Sequence, residues 1–164
     1  RHRDARQAVE ACLDSENQHI RATAVKAISQ LGGKRVIPLV IARLEDEDPR
    51  VRSNALEGLG YVEGGLDEAT IKVLYNATLD KDHRVQATAA MVLWKQSRED
   101  EHLTQLVNML REGTTKAALS AVYALSQIDN KLAAKLLREA VTENVPEVQS
   151  AAAKILESRD DESD

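Results

Sequence analysis

Apolar and small residues recur along this chain in five similar segments. Within each segment they return at offsets of 4, 7 or 8 and usually 11, which is the spacing of one face of an α-helix. The segments begin at Ile20, Val51, Val85, Ala117 and Val148, so successive starts are 31, 34, 32 and 31 residues apart. A nearly constant interval of this size is typical of helical repeats joined by variable loops. We refer to the helices predicted for these segments as motif helices.

An alanine lies at offset 4 of every segment, which indicates a place where neighbouring helices approach too closely for a larger side chain. These alanines are Ala24, Ala55, Ala89, Ala121 and Ala152. No segment alternates apolar and polar residues over many positions, so the chain is not expected to form β-strands.

A second helical pattern lies between the motif helices, at residues 36–45, 68–79, 101–110 and 131–141. We call these the intervening helices. Asp48 before Pro49 predicts a helix start, because an N-cap carboxylate and a proline at the first helical position both favour one. The glycine pairs at 32–33 and 64–65 are predicted to end the motif helices before them. Each repeat is thus motif helix, short turn, intervening helix and loop.

The run Val51-Arg52 with Ala55, preceded by Asp46-Glu47-Asp48-Pro49, resembles the HEAT motif in its phycobilisome-lyase variant. Ile37-Pro38 with Val40-Ile41 and Leu44 resembles the other helix of that motif. The resemblance covers nearly the whole chain, although the fourth copy departs from it, with Ala118 in place of the arginine. It implies an all-α fold, a right-handed α-α superhelix or armadillo-like solenoid of about ten helices in antiparallel pairs.

The repeat pattern predicts one solenoid domain over residues 1–158. It comprises an unpaired helix at 3–13, repeats at about 17–45, 48–79, 82–111 and 114–142, and a half repeat at 145–157. Residues 159–164 form an acidic tail that is predicted to be disordered. The sequence pattern at each end matches only one helix of a repeat, and residue 1 is an arginine. We therefore expect the chain to be part of a larger protein.

Composition narrows the possible functions. Aromatic residues make up only 2 %, which suits a solenoid whose small aliphatic layers contact only neighbouring repeats. The net charge is −5, of which the tail supplies −3, and the nearly balanced remainder disfavours general nucleic-acid binding. The single cysteine, Cys12, excludes an intrachain disulfide and is expected to be a small packing residue; this usage fits a cytoplasmic protein. No apolar run is long enough for a membrane span.

The sequence offers no catalytic residue and no metal or cofactor site. The four histidines, His2, His19, His83 and His102, lack the spacing of metal ligands, and no Cys-x-x-Cys, phosphate-binding loop or nucleophile motif occurs. HEAT-like iron hydroxylases use His-Glu pairs, whereas this chain has only the reversed Glu101-His102. We therefore expect a protein without enzymatic activity.

The resemblance implies a ladder in which a motif-helix arginine pairs with a loop aspartate between successive repeats. Arg21 and Arg52 occupy the arginine position, and the candidate acids lie in the loops that precede them: Glu16 for Arg21, and Asp46 or Asp48 for Arg52. Gln86 and Gln149 fill the later arginine positions, so the ladder should weaken there.

The resemblance also places the second, intervening helices on a concave face that binds partners. The candidate contact residues on that face are Arg43, Lys72, Asn76, Gln105, Asn108, Lys135 and Arg138. Their four cations would suit an acidic or phosphorylated protein segment. Trp94 and the three tyrosines are expected to pack between repeats.

These features predict a protein-interaction or scaffold module that binds a protein or peptide. Two alternatives stay open: a structural spacer without its own partner, and a ligand-binding or nucleic-acid-binding module related to bilin lyases or DNA glycosylases.

Overall fold

The computed structural model describes the backbone of residues 2–31, 36–62 and 64–161, and the side chains of residues 6–31, 36–62 and 64–159. These residues form ten α-helices and no strand, which confirms the all-α prediction. The helices are α1 (His2–Cys12), α2 (Gln18–Gln30), α3 (Ile37–Ile41), α4 (Pro49–Gly60), α5 (Glu68–Ala77), α6 (His83–Ser97), α7 (Thr104–Arg111), α8 (Thr115–Ser126), α9 (Lys131–Glu143) and α10 (Pro146–Asp161). The five motif helices are therefore α2, α4, α6, α8 and α10.

Four of the five motif helices begin at polar N-cap residues. Asp48 accepts a hydrogen bond from the backbone N–H of Arg50 at 2.8 Å, and Asp82 caps α6 in the same way at 2.9 Å. Asn17 and Thr114 cap α2 and α8. Because a capped start fixes where each helix turn begins, these residues hold the apolar faces of the motif helices in register.

The motif helices pack side by side in one continuous row, α2 to α4 to α6 to α8 to α10, whereas the intervening helices contact one another little within the described residues. The offset-4 alanines are all buried in this row. Gly58 marks the tightest approach, since a Cβ atom there would lie 2.0 Å from Ser29 Oγ on α2. The row is thus the packed layer of the molecule.

The intervening helices are less regular. Helix α3 continues as a 3₁₀ helix over Ala42–Glu45, and another 3₁₀ helix, Asp100–Leu103, precedes α7. Helices α5, α7 and α9 each pack more extensively against the motif helix that follows them than against the one before. The contacts therefore favour the pairs α1–α2, α3–α4, α5–α6, α7–α8 and α9–α10, a frame shifted by one helix from the repeats expected above. An interval between copies fixes the length of a repeat but not where it starts.

One of the two glycine-pair expectations is contradicted by the structure. Helix α4 ends at Gly60, and Gly64 and Gly65 follow in the loop, both with φ of +80°. They turn the chain toward α5 instead of ending α4. The other glycine pair, at 32–33, lies outside the described residues.

Helix α10 continues to Asp161, past the point where the acidic tail was expected to become disordered. Arg159 explains the continuation, because its Nη2 donates to the backbone oxygens of Leu125, Ser126 and Ile128 at 3.3, 2.7 and 3.2 Å. These oxygens belong to the end of α8 and the turn after it, so the arginine ties α10 to that turn. Residues 162–164 lie outside the described part of the chain.

Candidate partner-binding surfaces

A buried ion pair joins the loops at one edge of the stack. Arg21 of α2 holds Asp46 in a bidentate pair, with Nε–Oδ2 of 2.7 Å and Nη2–Oδ1 of 2.9 Å. Its remaining Nη1 donates to the backbone oxygens of Ser15 and Glu16 at 2.9 and 3.1 Å. One guanidinium thus connects the loop before its own helix to the loop before the next motif helix.

The next motif helix repeats this arrangement. Arg52 pairs with Asp80, with Nε–Oδ2 of 2.9 Å and Nη2–Oδ1 of 2.8 Å, and its Nη1 donates to the backbone oxygens of Asp46 and Glu47. Only 6 % of the Arg52 side chain and 16 % of the Asp80 side chain are exposed. Sequence reasoning missed Asp80. The signal was its position two residues before the N-cap Asp82, the same offset that separates Asp46 from Asp48.

Asp48 lies outside this ladder. Its carboxylate caps α4 and pairs with Arg50, with Oδ2 2.8 Å from Nη2. The hydrogen bond from the Arg50 guanidinium is the main reason that the pKa of Asp48 falls to about 2. At the later arginine positions, Gln86 donates to the backbone oxygen of Asp80 at 2.6 Å and Gln149 to that of Thr142 at 3.4 Å. The glutamines keep a loop contact but form no charge pair.

The residues expected on the intervening-helix surface differ in whether their side chains already have a partner within the chain. Arg43 pairs with Asp14 at 2.8 Å, Lys72 with Glu68 at 2.8 Å and Lys135 with Glu139 at 3.6 Å. Gln105 is half-buried and donates to the backbone oxygen of Thr78 at 2.7 Å. Asn76, Asn108 and Arg138 are exposed. Three of the four cations proposed to receive an acidic partner therefore already have a carboxylate partner.

The aromatic residues follow two patterns. Trp94 is buried, as expected, and its Nε1 donates to Asp100 Oδ1 at 3.3 Å. The expectation that the tyrosines pack between repeats is wrong, because Tyr61, Tyr75 and Tyr123 are exposed by 65, 47 and 45 %. Tyr61 lies at the end of α4 and Tyr123 lies within α8, so both expose an aromatic ring on the row of motif helices.

Two other places on the molecule bring together side chains that could carry chemistry. A groove of about 360 Å³ between α1 and α2 is lined by Val9, Cys12, His19, Ile20, Thr23, Ala24 and Ala27. Cys12 is exposed at the edge of this groove, so the expectation that it is a small packing residue is wrong. Glu99, Glu101 and His102 are the one group among the described residues whose ligand atoms come within 4.8 Å of one another, but both carboxylates are exposed. Cys12 and His19 both line the groove, but no hydrogen bond joins them among the described side chains.

No helix in the described part of the chain is both long and apolar enough to cross a membrane.

Comparison with known proteins identifies a family of helical repeats. The family model of HEAT repeats matches residues 1–60 and residues 37–118, which together span residues 1–118. No curated protein matches the chain. The matched region contains both buried arginine–aspartate pairs, so the family assignment and the ladder geometry rest on the same residues.

Proposed function

Because this chain belongs to the HEAT-repeat family, we propose that it is a non-enzymatic protein-binding module. HEAT repeats generally mediate protein–protein interaction or scaffolding. The observation that carries the proposal is the continuous row of motif helices, which presents a long surface from α2 to α10. Stacked repeats of this kind offer extended binding surfaces that a compact domain of the same length lacks.

The buried ion pairs support a scaffold of fixed shape. Arg21–Asp46 and Arg52–Asp80 each join two successive loops and bind backbone oxygens as well as a carboxylate. Such pairs specify one geometry, because removing either partner leaves a buried charge without compensation. A fixed relation between repeats keeps residues on different helices at constant distances, which binding across several helices requires.

The face that binds the partner stays a prediction. The resemblance to the phycobilisome-lyase variant of the repeat favours the intervening helices, with Arg43, Lys72 and Lys135 among the contacts. However, the closer packing of the motif helices supports placing them on the inner side of a curved stack, where neighbouring helices must be nearest. The two faces can be separated by mutation.

The proposal is tested with a purified partner. Proteins captured by the immobilised chain would be identified by cross-linking and mass spectrometry, then purified and titrated by calorimetry. A direct complex with a dissociation constant tighter than about 100 µM is expected for a specific module. Failure of every purified candidate to bind would favour a structural spacer.

The intervening-helix surface is tested in the same titration with Arg43→Glu and Lys135→Glu. Because Arg43→Glu also places two carboxylates together, the control combines it with Asp14→Arg, which restores an ion pair of reversed polarity. Unchanged affinity in Arg43→Glu/Lys135→Glu would reject this surface while leaving the protein-binding function intact.

A further inference from the structure

Residues at offsets −1, 3, 6 and 10 from the start of each copy are spaced as one face of each motif helix. We call this the motif-helix face. The buried alanines at offset 4 lie on a different side of these helices. Residues of the motif-helix face are exposed or half-buried except Thr88 and Met91 of α6, which are buried, so α6 presents Arg84 and Lys95. The face contains six cations: Lys26, Arg50, Arg84, Lys95, Lys116 and Lys154.

Contacts between helices show that these residues share one surface. Arg50 Nη1 of α4 lies 3.4 Å from His19 Nδ1 of α2. Lys95 of α6 lies over the Tyr61 ring at the end of α4, with Nζ 5.8 Å from the ring centroid. Side chains at equal offsets on neighbouring helices therefore meet.

Electrostatic coupling extends the surface to α8. Burial raises the pKa of the Tyr123 phenol, the charge of Glu57 on α4 raises it further, and Arg84 on α6 lowers it. Burial likewise lowers the pKa of Lys95, while Glu57 opposes that shift. Residues of three successive motif helices thus lie within electrostatic range of one another.

The charge on this face opposes that of the chain. Six cations stand against the two carboxylates at these offsets, Glu57 and Glu147, although the whole chain carries a net charge of −5. Lys26, Arg84, Lys116 and Lys154 are exposed, and none forms an ion pair among the described side chains. On the intervening helices, by contrast, Arg43, Lys72 and Lys135 are paired. Free cations gain more from a carboxylate partner than cations that must first release one.

Groups suited to binding a protein accompany the charge. Tyr61 and Tyr123 expose broad aromatic surfaces, and tyrosine is enriched at protein interfaces because it combines apolar area with a hydroxyl.

We propose that the motif-helix face binds an extended acidic segment of a protein partner, lying across α4, α6 and α8. The inference rests on the proposed function and adds the face and the partner chemistry. Carboxylates of the segment pair with Arg84 and Lys116, and its backbone lies against Tyr61 and Tyr123.

Helix spacing limits the pattern of acids in the partner. Packed helix axes lie about 10 Å apart, and an extended chain advances about 3.3 Å per residue. Cations at equal offsets on successive motif helices therefore match acidic residues at about every third position.

The test uses the intact chain and a fluorescein-labelled peptide of about ten residues with glutamate at every third position and serine or leucine between. Fluorescence anisotropy compares the wild type with Arg84→Glu/Lys116→Glu. The matched control is Lys81→Glu/Lys131→Glu, which reverses two exposed cations that form no ion pair among the described side chains and belong to neither candidate surface. We expect the first pair to weaken binding about tenfold or more and the control to change it less than about twofold. Binding by the wild type should also weaken with added salt.

Two further probes separate the ways in which the inference can fail. A peptide with lysine in place of each glutamate must bind more weakly, and equal binding would overturn the inference without touching the proposed function. Equal loss in the control would show that binding follows the overall charge of the chain, and it would overturn the assignment to the motif-helix face. Tighter binding of a labelled single-stranded oligonucleotide, lost in Arg84→Glu/Lys116→Glu, would assign the face to nucleic acid and overturn both proposals. Melting curves matching the wild type show that each variant folds.

Discussion

At the scale of single residues, the ladder depends on a few carboxylates in the loops. Asp80 accepts two hydrogen bonds from Arg52 and a third, at 2.8 Å, from the backbone N–H of Asp82. Burial raises the pKa of Asp80, but the hydrogen bonds from Arg52 and Asp82 outweigh it, so the pKa lies below its usual value. The folded protein therefore favours the charged carboxylate.

We expect Asp80→Ala to lower the free energy of unfolding by about 3 kcal/mol, because it leaves the Arg52 guanidinium buried without a counter-charge. Lys81→Ala is the matched control, since Lys81 is the exposed neighbour and forms no ion pair among the described residues; it should change stability by less than about 0.5 kcal/mol. Urea denaturation measures both. Similar values for the two variants would show that the pair contributes little.

The partners of individual side chains were the part of the site that the sequence predicted least well. Arg21 and Arg52 were recognised from their motif position, but their partners were expected in the loop before each arginine. That expectation is wrong, because Asp46 and Asp80 lie in the loop before the next motif helix. Only the three-dimensional path of the loops assigns Asp46 and Asp80 to the ladder and leaves Asp48 to cap α4. The exposed tyrosines were missed because burial depends on how far a neighbouring helix extends.

At the scale of elements, apolar spacing located all five motif helices, since each has a buried stripe long enough to recognise. It was less reliable for the intervening helices, where Pro38 and short apolar runs allow 3₁₀ geometry at residues 42–45 and 100–103. The spacing of apolar residues does not show which motif helix each intervening helix packs against. That choice depends on how well each side of the intervening helix fits the helix before it and the helix after it.

The closest helix approach gives a prediction at this scale. Alanine is a better helix former than glycine, yet we expect Gly58→Ala to lower the free energy of unfolding by about 1–3 kcal/mol, because the new Cβ meets Ser29 Oγ and Cβ at 2.0 and 2.7 Å. Gly60→Ala is the control on the same helix, where the nearest atom, Val92 Cγ2, is 3.4 Å away. Thermal unfolding of Gly58→Ala with Ser29→Gly should recover most of the loss. No recovery would mean that the two helices are not in contact at this point.

At the scale of the whole molecule, the two faces differ in whether their cations are paired with carboxylates of the same chain. Cations near the intervening helices are largely satisfied within the chain, as at Arg111, which pairs with Glu139 at 2.8 Å. Cations on the motif-helix face are mostly left for an outside partner. Sequence composition reported only the sum, −5, and so concealed this division. The family could be recognised from the sequence, whereas the separation of charge required knowing which residues share a surface.

Stability against acid is the remaining whole-molecule property that the ion pairs determine. Asp46, Asp48 and Asp80 all have pKa values below the ordinary 3.8, and the pKa of Asp48 is about 2. A carboxylate whose pKa is lower in the folded state contributes stability above its unfolded pKa and loses that contribution as pH falls through the folded pKa. We therefore expect the free energy of unfolding to fall between about pH 4 and pH 2.

Asp48→Asn isolates one of these groups, because asparagine caps a helix about as well as aspartate but does not titrate. The variant should be less stable than the wild type at pH 7, where the charge pair with Arg50 is lost, and the difference should shrink toward pH 2 as the wild-type carboxylate becomes protonated. Urea denaturation at a series of pH values measures the difference. A difference that stays constant from pH 7 to pH 2 would mean that the carboxylate of Asp48 titrates alike in the folded and unfolded chains, and that its pairing with Arg50 adds nothing to the stability of the stack.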